Sequence, residues 1–235
     1  MKWGTKFGPE YANRLHRMVS RHLKRRHRFI CFTDDEAGLN PGIEARPLPP
    51  MDLPEGKERG WRKLSTFQNP LADVQGSTLF LDLDVVILRD IDCFFDPPGE
   101  FLISRDWKFA RPWRTTGNSS VYRFEAGAHP GAFSEFVAGI DDVKARFRNE
   151  QSYLSDWMKR AGKFQFWPKG WCISFKGVCL LPFPINIWRV PEKPKDAKIV
   201  IFHGNPMPED AVAGRIEGLF RFLRPTPWVA EAWNR

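Results

Sequence analysis

Asp82 and Asp84 stand two residues apart inside LFLDLDVVIL, the most apolar run of the chain. On a β-strand, residues i and i+2 point to the same side, so this spacing predicts two carboxylates facing one spot. Buried like charges repel and lose their hydration, which is costly unless a cation compensates. A divalent metal compensates best, because hard cations take carboxylate oxygens and can keep positions open for a substrate. The plainer alternative is one aspartate bonded to an arginine or a helix N-terminus while the other faces water. His203 closes a second apolar stretch, IVIFHG. At the carboxyl end of a strand in an open α/β sheet it lies where ligands bind, and a neutral imidazole could complete the metal shell. A hydrogen-bonded structural histidine is the competing reading of that residue.

Helix and strand signals alternate around these residues. Tyr11, Leu15, Met18, Val19 and Leu23 recur at helical spacing and predict an amphipathic helix over Pro9–Arg26, with Pro9 in its first turn. FICFT (Phe29–Thr33) reads as a short buried strand, and the five prolines between Asn40 and Gly60 mark a loop. Trp61–Asp73 is expected to be a short helix, ended ahead of Gly76. Leu79–Leu88 is apolar on both faces, as a strand in the middle of a covered sheet would be. Further strands are expected at Phe101–Trp107, Asn118–Phe124 and Lys198–Phe202, and further helices at Pro130–Ala138 and Glu150–Ala161. This alternation predicts an α/β fold with a central mixed, mostly parallel sheet flanked by helices.

Composition narrows the class. With 235 residues, 42% apolar and 27% charged, the chain suits one globular core rather than a disordered tail or a fibre. No run reaches the ~18 apolar residues of a membrane span, and no secretory signal follows Met1. The four cysteines lack zinc or disulfide-framework spacing, which predicts free thiols in a reducing, cytoplasmic compartment. The net charge of +8 draws the chain toward anions, whether nucleic acid, lipid headgroups or a phosphorylated small molecule. Arg14, Arg17, Arg21, Lys24, Arg25, Arg26 and Arg28 crowd the first helix and its end. They form either a solvated face or a contact for anionic lipid. Of the ten tryptophans, Trp61, Trp157 and Trp188 are expected in the core. Trp107, Trp113, Trp167 and Trp171 include candidates for a platform on which sugar rings stack.

Four segments in order, LFLDLDVVI, NSSVYRF (Asn118–Phe124), NEQSYLSDW (Asn149–Trp157) and IFHGNPMP (Ile201–Pro208), resemble the motifs of glycosyltransferase family eight and related GT-A enzymes. The resemblance implies a single GT-A-like (Rossmann-like) domain over residues 1–235, with 210–235 as a C-terminal extension. It implies metal-dependent, retaining transfer of a hexose from a nucleotide-diphosphate sugar, UDP-sugar favoured, to a saccharide or glycolipid acceptor. The setting would be bacterial-type surface polysaccharide or glycolipid synthesis, in the cytoplasm or peripherally at the inner membrane face, with no nucleic-acid partner. Asp82, Asp84 and His203 would hold Mn²⁺ or Mg²⁺. Asn118, Glu150 and Gln151 would be catalytic, and Thr5, Lys6, Arg62, Lys63, Leu83, Ser119, Ser120 and Gly204 would bind the donor.

The chain departs from that pattern in several places. Glu150-Gln151 replaces an Asp-Gln pair, Ser119 fills the second position of the asparagine motif with Ser120 where glycine is usual, and no lysine follows His203 to grip the diphosphate. Lys169 or Arg62 is the candidate substitute. The first strand is reduced to Trp3–Lys6, so an upstream start is expected. Among Glu150, Gln151 and Asp156, none is clearly placed as a nucleophile, which favours acceptor attack from the leaving-group side assisted by Gln151. Competing readings are a metal-dependent nuclease or a nucleic-acid-binding protein using the basic surface. A nucleotidyltransferase would need a glycine-rich phosphate loop after the first strand, and none is present.

Overall fold

The computed structural model describes all residues except 55, 57, 107–114, 219, 220 and 235. Helix α1 (Pro9–His22) starts on its proline and turns Tyr11, Leu15, Met18 and Val19 into the core. It stops four residues before the expected end. Leu23 adopts an extended backbone, and the Asp92 carboxylate captures the freed Lys24 and Arg25 amides at 3.0–3.2 Å.

Strands β1 (Ile30–Thr33) and β2 (Glu44–Pro47) pair in parallel, and Lys2 adds a parallel bridge to Thr33. The expected helix at Trp61–Asp73 is a 3-10 helix covering Trp61–Phe67 only. A four-stranded sheet has the order β3 (Ser77–Leu81), β6 (Gly117–Glu125), β5 (Phe101–Arg105), β7 (Phe164–Phe166). A three-stranded sheet has the order β4 (Val85–Ile87), β9 (Ile199–Ile201), β8 (Cys172–Ser174). Helices α2 (Gly131–Ala138), α3 (Ile140–Arg146), α4 (Glu150–Arg160), α5 (Pro208–Ala213) and α6 (Pro227–Asn234) complete the described elements. The fold is mixed α/β as expected, with parallel and antiparallel pairings equally represented.

The predicted continuous strand Leu79–Leu88 is two strands. β3 pairs with β6 and β4 with β9, so the chain turns at Asp82-Leu83-Asp84 as it passes from one sheet to the other. Apolar content on both faces could not reveal this, because each half is buried in its own sheet.

The period of two decides which core each side chain joins. Phe101, Ile103, Tyr122 and Phe124 face one apolar cluster with Trp61, Phe67, Phe136 and Tyr153. Leu102 and Val121 face the other, with α1, β4, β9 and α6. Trp61 is 1% exposed and stacks on Phe136 at 5.1 Å. Trp157 is half-buried, and Trp188, expected in the core, is 70% exposed. Replacing Trp61 by Ala should lower the unfolding free energy by roughly 3–5 kcal/mol in urea denaturation, the cost of a large buried cavity.

Candidate active site

The turn between β3 and β4 carries the acidic pair. Asp82 donates its amide to the Ser120 carbonyl at 2.8 Å, which fixes the turn against β6. Lys63, from the 3-10 helix, places Nζ 2.6 Å from Asp82 Oδ1 and 2.8 Å from Oδ2. Asp84 is buried, and its carboxyl is pushed up to about 7, first by loss of hydration and then by the neighbouring Asp82 charge. Burial alone would lower the Lys63 ammonium, but the carboxylates of Asp82 and Glu150 outweigh it and hold the group charged.

Glu150 opens α4, whose start Asn149 caps by accepting from the Ser152 amide at 3.2 Å. Its side chain is buried, and the loss of water raises its carboxyl to about 7 against the pull of Lys63 and a hydrogen bond with Ser119. Its Oε1 has no hydrogen-bond partner. Gly60 packs close against it, with φ +81° and a site where a β-carbon would lie 2.8 Å from Glu150 Oε2. Three carboxyl groups thus surround one lysine. Lys6 also draws the Asp84 carboxyl down, and Tyr11, hydrogen-bonded to Glu209, feels the Asp84 charge.

A polar cleft of about 680 Å³ opens beside this cluster. Asn118 from β6, Gln151 from α4 and His203 after β9 all line it, together with Asp106, Asp156 and Lys159. Three residues separated by up to 85 positions are therefore gathered in one cleft. A register shift at Ile103/Ser104 sets Asn118 opposite Ser104. Gly117 permits this packing, since a β-carbon there would lie 2.6 Å from Ile103. Asn118 Oδ1 accepts from the Ser120 amide at 3.0 Å. Neighbours in sequence face different parts of the site: Asn118 and Gln151 reach the cleft, while Ser119 and Glu150 reach Lys63.

The expected ligand set of Asp82, Asp84 and His203 is not assembled. Among the described residues no three His, Cys, Asp or Glu side chains come together as metal ligands. The His203 ring is exposed, and its Nε2 is hydrogen-bonded to Ser174 Oγ at 2.6 Å. Other expected donor-site residues have local roles. Arg62 pairs with Glu58 at 3.0 Å, and Glu58 also accepts from Trp3 at 2.6 Å. Leu83 is core, Ser120 is buried, and Gly204 makes a left-handed turn. Thr5 and Lys169 are exposed and do not line the cleft. Trp167 is buried against Phe94 and is no sugar platform, while Trp171 is half-buried beside both and does not line the cleft; Trp107 and Trp113 lie outside the described residues.

Sequence reasoning missed Asp106 and Arg148, which line the cleft, and Ser174, which is hydrogen-bonded to the His203 ring. Asp106 follows the end of β5, a position that could have flagged it. Arg148 and Ser174 carried no such signal.

No protein-family model matches the chain, and no curated protein sequence matches it. Solved structures do. The galactosyltransferase LgtC in complex with donor and acceptor sugar analogues is similar, with TM-score 0.59, 14% identity and 85% of each chain covered. The glycosyltransferase GlyE of Streptococcus pneumoniae TIGR4 is similar with TM-score 0.62 and 12% identity over 96% of this chain. The chain spans 58% of the GlyE chain. The fold is that of GT-A-like glycosyltransferases.

The raised Glu150 carboxyl has a consequence for stability. Between its ordinary value of 4.5 and about 7 the folded state holds a proton that the unfolded state has lost. This contribution is therefore present below pH 4.5 and fades as pH rises through about 7. In the presence of chelator, Glu150→Gln should remove that part of the slope, raising Tm relative to wild type more at pH 8 than at pH 5. Equal shifts at both pH values would contradict a neutral Glu150 near pH 5.

Proposed function

We propose that this chain is a glycosyltransferase that moves a sugar from a nucleotide-diphosphate donor, UDP-sugar favoured, to the hydroxyl of a saccharide or glycolipid acceptor. The observation that carries the reading is the cleft in which Asn118, Gln151 and His203 meet beside the Asp82–Lys63–Glu150 cluster. The fold shared with LgtC and GlyE supports it.

The acidic cluster fits a divalent cation through two ligands. Three carboxyl groups surround a single lysine, and the burial and repulsion at Asp84 are what a second cation would relieve. Asp82 and Asp84 would hold Mn²⁺ or Mg²⁺, and the ion would neutralise charge on the departing diphosphate. His203 is then left to the cleft, where its ring can hydrogen-bond donor or acceptor oxygens. Lys63 positions Asp82 and buffers the cluster. Asn118 and Gln151 offer amide groups that orient the sugar without taking or giving a proton.

Retention by attack from the leaving-group side suits these residues. Asp156 is tied to Arg160 at 3.0 Å, and Glu150 is turned toward Lys63 and Ser119. Neither is free to form a covalent glycosyl-enzyme. The acceptor oxygen would bond to the anomeric carbon as the carbon–phosphate-oxygen bond breaks, with the hydroxyl proton passing to the departing diphosphate. Gln151 would hold the anomeric centre through its amide dipole.

The nuclease alternative gains nothing from the geometry, because two-metal cleavage needs several side chains that share the ions, and among the described residues no three His, Cys, Asp or Glu side chains come together as metal ligands. The described cysteines are all free, which supports a reducing, cytoplasmic setting.

Thermal-shift titration with UDP- and GDP-sugars, with and without Mn²⁺, tests the assignment. A sugar nucleotide at 100 times its Kd should add about 2.7 kcal/mol, and the metal-dependent part should vanish in Asp82→Asn/Asp84→Asn. Stabilisation by short oligonucleotides instead would overturn it. Gln151→Ala should lower kcat for transfer roughly 10²-fold with little change in donor Kd; undiminished transfer would remove Gln151 from the reaction.

A further inference from the structure

Of the seven cations on the first helix and just past its end, Arg14, Arg21, Arg25 and Arg28 are engaged within the chain. Arg25 pairs with Asp92 and Asp96, and Arg28 with Glu44 and Asp73. Arg21 donates to the Ala232 carbonyl, and Arg14 lies over the Trp233 ring at 5.4 Å. Cations and exposed apolar side chains meet elsewhere. Among the described residues, Phe183, Ile185, Trp188, Val190 and Phe222 are each 41–70% exposed. The Phe183 and Phe222 rings lie 6.2 Å apart and the Asn186 side chain donates to the Phe222 carbonyl at 3.1 Å, while Ile185 and Trp188, three apart on a 3-10 turn whose amide bond is 3.2 Å, project from one face.

We propose that this patch docks the protein on an anionic lipid surface. Exposed Arg189, Lys193, Lys195, Arg221 and Arg224 flank it in sequence, against two carboxylates, Glu192 and Asp196. Glu192 is already paired with Arg189. Cations are the immediate sequence neighbours of the aromatic residues, as in Trp188-Arg189 and Arg221-Phe222. A protein-binding patch accepts arginine but is depleted of lysine, and Lys193 and Lys195 are both exposed here. At a membrane surface the same neighbours are compatible, because tryptophan sits at headgroup level while arginine and lysine stems reach back to the phosphates. The docking is peripheral, since among the described residues no helix is long and apolar enough to cross a membrane.

Both arms of the patch leave from the candidate site. Ser174, bonded to His203, begins the segment that leads to Trp188. The arm that carries Phe222 is pinned where the Glu217 amide donates to Asn205 Oδ1 at 3.1 Å, two residues after His203. A docked patch would hold the cleft close to the lipid surface and so to a lipid-linked acceptor. That last step rests on the transferase reading; the docking does not.

Co-sedimentation of the full chain with vesicles of phosphatidylcholine alone, or of phosphatidylcholine and phosphatidylglycerol at about 70:30, tests the proposal. The chain should sediment with the anionic vesicles only. Trp188→Ser should lower partitioning at least ~10-fold, on the scale of burying one large apolar side chain. Arg221→Gln and Arg224→Gln should each lower it about five-fold. Lys24→Gln with Arg26→Gln should leave it unchanged. Circular dichroism and hydrolysis of a soluble donor, unchanged in Trp188→Ser, separate lost docking from misfolding or from failure of the transferase reading. The proposal is overturned by equal binding to neutral vesicles, by binding to neither, or by binding that depends on Lys24 and Arg26 rather than Trp188. A dimer in gel filtration that Trp188→Ser dissociates, without vesicle binding, would make the patch an interface between copies and overturn it too.

Discussion

Three carboxyl groups, from Asp82, Asp84 and Glu150, share the surroundings of one half-buried lysine, Lys63. Withdrawn from water, such groups are held only by one another's charge or by taking up protons. The 3-10 helix that brings Lys63, the glycine at position 60 that lets Glu150 approach, the cap that starts α4 and the sheet-to-sheet turn all serve that contact. Protein interiors rarely tolerate an acidic excess of this kind without a ligand, and perturbed carboxyls beside a polar cleft are the mark of a functional site. The cluster and the cleft meet through two adjacent pairs, Asn118-Ser119 and Glu150-Gln151.

Some of this was legible from the order of residues. The aspartate pair stood out because carboxylates are out of place in an apolar run, and Asn118, Gln151 and His203 stood out by motif order. The cleft unites the last three. What the pattern mispredicted was the path of the chain between the two aspartates. A run buried on both faces looks the same whether it lies in one sheet or crosses between two, because hydropathy records burial and not partners. The same limit hid the separation of His203 from the acidic pair: a strand-end position fixes where the backbone goes, while the ring turns to Ser174, 29 positions away in sequence.

Charge and aromatic content were only partly legible for a related reason. The basic residues on and after α1 read as either a solvated face or a lipid contact, and residue type could not tell that several of the arginines are met by carboxylates from distant parts of the chain, Asp73 and Asp92 among them. Trp188 read as core by residue type and is the most exposed large apolar side chain among the described residues. Residue type sets what burial would be worth, while neighbours decide whether burial occurs.

By itself the sequence determined the periodicities that make α1, β6, β9 and α4, the compensating need created by acids in an apolar segment, and the mixed α/β class. These are local properties, fixed by spacing along the chain. Only the tertiary structure decided that Lys63 answers Asp82, that Glu150 is buried with them, that Asn118 and Gln151 open onto the same cleft as His203, and that Trp188 faces outward. Each depends on contacts between residues tens of positions apart, where the free energy of one side chain is set by groups that no local pattern can name.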